Sequence, residues 1–400
     1  MRALLGLLAT AALTATALPA SATSPTMPET TSVHHANHHA NHLVRTAARP
    51  AARVPRLRIW RMVGGLDHPW DVVPLGGQRF LVDQRTRARL TLVHHGQKRN
   101  VAFPRNRIWT YRETGLLGLE VDPGFATNHR IYTCSGWKKT GGGHDVRVIA
   151  WRLNRGLTRA SYVRTLVSGM PTGTGRHTGC RLLIARNGSL HVTTGDAFGG
   201  HNPRNLHSLG GKTLHLNRWT GKPWPTNPWV HAANRNKQYL TSYGHRNVQG
   251  ISQRSNGSIW TIEQGTYRND EVNRLILGGD YGYNPVPGYN ESVPMTNFKL
   301  PGRQIGARWR SGDPTFATSG GTFVPTAHWG ALGGTLAVAA LKDHELIFLK
   351  FTTKGRFVRL YRRLTDRGRL RTAVVAPNGD LLVTTDRGGG RDVLLRVHPM

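Results

Sequence analysis

One phrase recurs six times along the chain: a small or turn-forming residue, then an alternating apolar run that ends in Thr, Asp or Gly. The copies begin at Gly77, Asn128, Asn187, Asn256, Gly334 and Asn378, as in Asn378-Gly379-Asp380-Leu381-Leu382-Val383-Thr384-Thr385-Asp386. In each, the turn residues supply the positive φ that a tight hairpin needs, and the alternation places one face in a core. Six copies imply six sheets. The shortest intervals between copies, about 45 to 50 residues, match one four-stranded propeller blade, and longer intervals leave room for loop insertions. The 47 Gly and 22 Pro, with little helical periodicity after the first segment, agree with many short strands joined by turns. The expectation is an all-β fold, a six-bladed β-propeller over residues 55–400. A pair of large β-sandwiches is the runner-up, and it lacks a segment that reads as a linker between halves.

The first residues read as an export signal. Arg2 gives a minimal positive region, Leu4 to Leu18 form a short apolar stretch, and Ala20-Ser21-Ala22 offers a small-residue cleavage site. Residues 1–22 are therefore expected to be a signal peptide, a membrane anchor being the alternative, and the mature protein is expected outside the cytoplasm. Residues 23–54 are rich in Ala, Thr, Pro and His, including the run His34-His35-Ala36-Asn37-His38-His39. Such a tract buries too little apolar surface to offset its ordering entropy and reads as a disordered leader, with metal binding by its histidines the alternative.

Export places Cys134 and Cys180, the two cysteines of the chain, in an oxidising compartment. They form a disulfide if their strands are neighbours, and two buried thiols if not. The formal charge of +33 comes from 54 Lys and Arg against 21 Asp and Glu. These cations are spread along the chain and no nucleic-acid module appears, so specific nucleic-acid recognition is not expected. Association with an anionic cell wall, or general solubility, accounts for the charge equally well.

Two further segments carry chemistry. Tyr243-Gly244-His245-Arg246-Asn247-Val248-Gln249-Gly250 precedes Glu263-Gln264-Gly265 and Asn269-Asp270-Glu271-Val272-Asn273, and His177-Thr178-Gly179-Cys180-Arg181-Leu182 precedes Thr193-Thr194-Gly195-Asp196. In this order the segments resemble the soluble PQQ-dependent glucose/sorbosone (aldose) dehydrogenases, and the similarity covers nearly all of Leu66 to Val397. The resemblance implies PQQ and Ca²⁺ as cofactors. It makes His177 the base over the quinone, with Asp196 orienting it, the usual way a neutral imidazole is made directional.

The same resemblance gives Arg246 and Asn247 a grip on PQQ. Lys342 matches the family's cofactor lysine, Arg369 and Arg371 its Arg-x-Arg pair, and Glu113 a position near the cofactor. Alternate residues of a strand share a face, so Arg369 and Arg371 are placed to meet one planar anion. Gly265 and Thr266 stand where the family binds calcium through the carbonyls of a Gly-Pro pair; Asp270, Glu271 and Tyr281 match a second calcium site. Two departures stand out: Thr266 replaces Pro, and Asp313 stands before Pro314 where many relatives carry Trp.

The implied reaction oxidises an aldose at its anomeric carbon to a lactone and passes electrons to an external acceptor, a quinone or a cytochrome. Two rival readings remain, a calcium-dependent lactonase on a similar propeller and a non-catalytic propeller that binds anionic wall polymers. Sequence leaves open the preferred sugar and whether the protein forms a homodimer.

Overall fold

Each copy of the recurring phrase becomes the second strand of a sheet. These strands are Arg79–Gln84, Arg130–Lys138, Ser189–Thr194, Ile259–Gln264, Leu336–Ala340 and Leu381–Thr385. Each pairs antiparallel with the strand before it, namely Val72–Gly76, Leu116–Val121, Gly179–Ile184, Asn247–Gln253, Thr318–Phe323 and Leu370–Val375. Those six preceding strands contact one another in a closed ring, so they form the inner wall of a six-bladed propeller. The structure is a computed structural model that describes residues 52–400; the signal segment expected at 1–22, and the leader expected at 23–54 apart from its last three residues, lie outside the described residues.

The ring closes by a strand exchange between the two ends of the described chain. Leu57–Leu66 pairs antiparallel with Asp392–Pro399, from Leu57 opposite Pro399 to Leu66 opposite Asp392, and so completes the last blade as its outer strand. Each inner strand keeps one edge without a ladder partner, and the ring turns these short edges toward the axis. Blades differ in their insertions: the third gains a short fifth strand, Gly279–Asp280, parallel to Leu240–Tyr243. That extra strand belongs to a long excursion between Glu271–Arg274 and Trp309–Arg310 of the fourth blade.

One expectation needs correcting. The alternating runs do not have one solvent-facing side, because every residue of Leu336–Ala340, Ser189–Thr194 and Leu381–Thr385 is buried. A propeller blade is packed on both faces by its neighbours, so the second strand meets a core on each side. The cores accordingly lie between blades, as where Trp260 and Ile262 of the fourth blade pack with Leu336, Val338 and Ile347 of the fifth. Near the axis there is little room. A Cβ on Gly250 would lie 2.6 Å from the Ser319 carbonyl of the next inner strand.

Cys134 and Cys180 are disulfide-bonded, joining the second strand of the second blade to the inner strand of the third. The bridge spans 46 residues of sequence, and on the loop-entropy model such a link contributes about 4 kcal/mol. No helix of the described residues is long and apolar enough to cross a membrane.

A histidine pair in the third blade ties stability to pH. His191 and His215 sit opposite each other on paired strands, their rings stacked at 4.0 Å, and both are buried. Burial holds both well below the usual imidazole value, His215 at about 4, and the mutual repulsion of the pair lowers His191 further. The unfolded chain takes up these protons near pH 6.5 while the folded chain refuses them. Stability is therefore lost as pH falls from about 6.5 toward the folded-state values, by about 1.4 kcal/mol per histidine per pH unit. Urea unfolding at pH 7 and pH 5 should show this loss, and His191→Gln should shrink it by roughly half; an unchanged pH slope in the variant would refute the assignment.

Candidate active site

Propeller topology gathers one class of chain ends at one mouth of the axis: the starts of inner strands and the ends of second strands. A cavity of about 270 Å³ opens there, lined by segments from around the ring that include Trp70, Arg85, Glu113, Gln264, Arg371 and Asp386. The acidic ends of the recurring phrase belong to this rim. Asp386 directly follows the sixth second strand, Glu263 lies at the end of the fourth, and Asp196 stands two residues past the third.

His177 and Asp196 are in direct contact. Nδ1 of His177 is 2.9 Å from Oδ1 of Asp196, and both side chains are buried. The main-chain N–H of His177 donates to Glu113 at 2.9 Å, which ties the histidine to the cavity wall. No hydrogen bond among the described residues engages Nε2. A carboxylate accepts only, so Nδ1 carries the hydrogen and Nε2 keeps a free lone pair.

Glycine makes this junction. A Cβ on Gly195 would lie 1.8 Å from the His177 carbonyl, so the Thr-Gly-Asp turn and the histidine loop touch through bare backbone. His177 itself adopts a left-handed φ of 49°, and Ala197 and Phe198 follow Asp196 at 56° and 58°. Such values are costly for residues with a Cβ and persist where surrounding contacts over-determine them.

The opposite wall is guanidinium. Arg371 is buried, bonds Asp386 at 2.6 Å, and lies 4.4 Å over the Trp70 ring. Arg369 reaches the main-chain oxygens of Asp386 and Leu341 and stays half-buried, and both arginines line the cavity. Arg85 donates to the Arg112 carbonyl, and burial together with the charge of Arg371 lowers its pKa. Burial alone would raise Asp386, but Arg371 and His68 override it and hold the carboxyl far below its usual range.

Arg246 is buried and bonded to Glu291 at 2.6 Å and to the Gln264 carbonyl at 3.2 Å. Nε of Arg85, Arg246 and Arg371 are all buried without a hydrogen-bond partner. Buried guanidinium N–H groups left unpaired carry a desolvation cost; of the three, Arg85 and Arg371 line the cavity.

Comparison with known proteins places this architecture. The Glucose / Sorbosone dehydrogenase family profile matches residues 66–396. The chain belongs to the glucose/sorbosone dehydrogenase family. Among curated proteins it is 28% identical over 351 residues to the aldose sugar dehydrogenase YliI of Escherichia coli (strain K12), covering 84% of this chain and 91% of that one. Among solved structures it resembles an oxidoreductase from Thermus thermophilus described as a glucose dehydrogenase, at 30% identity and a TM-score of 0.74, covering 86% of this chain and all of that one. It shares the fold of a PQQ-bound aldose sugar dehydrogenase of Streptomyces coelicolor at 24% identity and a TM-score of 0.72, covering 86% and 99% of the two chains.

The remaining family-matched positions are distributed unevenly in this dehydrogenase. Asn247 is fully engaged: its oxygen accepts from Gly179 and Gln249, and its amide faces Gln264 and Glu113. It fixes the site's framework rather than presenting a free group. Lys342 is exposed, one residue past Leu341, which lines the cavity.

Gly265 and Thr266 follow Gln264 at the rim. Asp270 is buried with one oxygen accepting from Gly265 at 2.8 Å and the other from Thr318 at 2.9 Å, so its carboxylate pins the turn. Glu271 faces Glu263 across paired strands; burial and then the charge of Glu263 push it up to about 7. Tyr281 donates its hydroxyl to the Arg274 carbonyl and accepts from Ile276, leaving its main-chain oxygen as the group it can offer a cation. Among the described residues no group of three or more His, Cys, Asp or Glu side chains converges as a metal cage.

Sequence reasoning missed Trp70, Arg85, Asp386, Tyr289 and Glu291. Asp386 was legible in principle, since it ends the same phrase that leads to Asp196. Tyr289 and Glu291 lie in the unrepeated excursion of the fourth blade and carried no signal.

The Gly195 contact yields a test. Gly195→Ala should cost about 3 kcal/mol because its Cβ has no space, whereas Gly141→Ala, with nothing within 4 Å of its Cβ and a φ of 85°, should cost about 1 kcal/mol. Denaturant unfolding of both variants decides it, and equal losses would mean that the His177 loop yields to a Cβ and does not require glycine at 195.

Proposed function

We propose that this protein is an exported aldose dehydrogenase that uses PQQ and calcium to oxidise a sugar at its anomeric carbon to the lactone, passing electrons to an external quinone or cytochrome. One observation carries the reading: a directional imidazole–carboxylate pair is joined through the His177 N–H to Glu113, which lines a hollow whose wall also carries Arg85, Arg369 and Arg371. PQQ is a planar tricarboxylate, and Arg85, Arg246, Arg369 and Arg371 are the residues that would hold it, with Lys342 at the rim. Arg85, Arg369 and Arg371 line the hollow together, a cationic wall that suits a multiply charged anion.

A hard cation also finds suitable donors. The carbonyls of Gly265 and Thr266 would serve the cofactor-side calcium. Glu271, the main-chain oxygen of Tyr281 and the buried, unpartnered Oδ1 of Asn273 would serve a second, with Asp270 shaping the turn between the two. When bound, PQQ supplies a quinone that accepts the two electrons of the anomeric C–H bond.

The protein's own part is proton handling and placement. Nε2 of His177 takes the proton of the anomeric hydroxyl, and Asp196 stabilises the imidazolium that results. Asp196 does not itself become protonated; it fixes the tautomer and the ring. Phe198 and Tyr289 stand beside His177 and give the site an aromatic surface, while Asp313 is exposed. The lactonase alternative would need acidic metal ligands facing the hollow, and the wall here is mainly cationic. Export and the Cys134–Cys180 bridge agree with chemistry done outside the cytoplasm.

Purified apoprotein should oxidise glucose or another aldose in a dye-linked assay only after PQQ and Ca²⁺ are both added, and PQQ binding should appear as an absorbance change in the absence of sugar. His177→Ala should lower kcat by about 10² to 10⁴ while PQQ still binds. Full activity in that variant would overturn the proton-transfer role, and absence of PQQ binding by the wild type would overturn the cofactor reading.

A further inference from the structure

Tyr289 reaches the His177–Asp196 pair from the long excursion of the fourth blade. Its hydroxyl lies 2.6 Å from Oδ2 of Asp196 and 2.9 Å from Nδ1 of His177. Oδ1 of Asp196 is already engaged, by that same Nδ1 at 2.9 Å and by the main-chain N–H of Phe198 at 2.8 Å. The carboxylate only accepts, so the phenol donates its proton to Oδ2. The hydrogen on Nδ1 then faces two acceptors, Oδ1 and the phenol oxygen. Nothing comparable holds Nε2.

Packing fixes the phenol where this works. Its ring stacks on Phe198 with centroids 3.9 Å apart and an interplanar angle of 25°, and Phe198 meets the His177 ring edge-on at 5.2 Å. Burial and the charge of Asp196 both raise the phenol pKa well above its usual value, which keeps the proton available for donation.

We propose that Tyr289 is a positioning residue of the dehydrogenase reaction: its hydroxyl holds Oδ2 of Asp196 and the Nδ1–H tautomer of His177, so that Nε2 faces the sugar hydroxyl as the base. The kinetic consequence rests on the function proposed above; the tautomer does not. A carboxylate held at both oxygens cannot rotate away from the imidazole, and the imidazole cannot exchange its protonated nitrogen without losing two acceptors. Tyr289 touches neither cofactor nor sugar in this role; it acts through its two partners.

Tyr289→Phe keeps the ring and its stacking and removes only the hydroxyl. In the loaded enzyme kcat should fall about tenfold, the loss expected for one orienting hydrogen bond, with KM for sugar and affinity for PQQ changed less than twofold. In an Asp196→Asn background the same substitution should cost less than twofold, because its partner is already altered. In the apoprotein, ¹⁵N-histidine NMR should show His177 protonated at Nδ1 alone in the neutral wild type and a mixture of tautomers in Tyr289→Phe.

An unchanged tautomer together with an unchanged kcat would overturn the proposal. So would an equal loss in the Asp196→Asn background, or a loss that appears only as weaker PQQ binding. If the wild type oxidises no sugar, the function proposed above fails, and the tautomer measurement still decides the role of Tyr289.

Discussion

Burial of arginine at the mouth of the axis is the constraint on which the site depends. Arg371, Arg181 and Arg85 lie 4.4, 5.7 and 6.0 Å from the Trp70 ring, and each is buried. Removing a guanidinium from water costs several kcal/mol even after relaxation, so each must be compensated by paired charge and hydrogen bonds. Compensation is large but incomplete. Asp386 serves Arg371 and Asp71 serves Arg181 at 2.7 Å, yet Nε of Arg85 and Arg371 and one terminal nitrogen of Arg181 stay unpaired. Replacing such groups with apolar ones would relieve that cost, so their burial is a constraint on the fold rather than a source of stability.

Ring closure and site assembly are one event. The strand Leu57–Leu66 that seals the last blade runs straight into His68 and Trp70, which line the cavity. His68 donates its main-chain N–H to Asp392 at 2.8 Å and places its ring against Asp386 at 2.8 Å, partners more than 300 residues away in sequence. A propeller that failed to close would lose the partner that holds Asp386 from the other side, and with it part of the cradle of Arg371. Acidic residues are scarce in this chain and are used inwardly: ten aspartates and three glutamates are buried. The exposed surface is therefore more cationic than the formal charge implies, consistent with solubility or wall association and needing no nucleic-acid partner.

Legibility in the sequence followed repetition. The six phrases marked six second strands because each blade solves the same packing problem with the same hairpin, and Asp196 could be paired with His177 because the two segments resemble the base-bearing part of the dehydrogenase family. Periodicity could not say that those strands are buried on both faces, since the pattern resembles a half-exposed strand until neighbouring blades are placed. Tyr289 and Glu291 were invisible for a different reason. They sit in an excursion without repeat, and their distance to His177, Asp196 and Arg246 is set by where that loop folds back, which no local spacing encodes. Lys342 shows the converse: its neighbourhood was recognisable, but its side chain is exposed and only the preceding Leu341 lines the hollow.

Thr266, where the family resemblance leads one to expect proline, bears on how the turn proposed above as a calcium site keeps its shape. Proline would restrict the turn by its own ring, through a locked φ. Here Asp270 does the equivalent from outside, because its two oxygens clamp the N–H of Gly265 within the turn and the N–H of Thr318 on the next inner strand. A Cβ on Gly265 would lie 2.2 Å from the Arg268 carbonyl and 2.6 Å from that of Asn269, so the turn is folded tightly on itself without an imino ring. Rigidity has moved from a covalent restraint to a buried carboxylate. Burial raises the pKa of Asp270, against the pull of those N–H donors, so the clamp is more sensitive to acid than a proline would be. The geometry of the Gly265 and Thr266 carbonyls is thus tied to the ionisation of one aspartate.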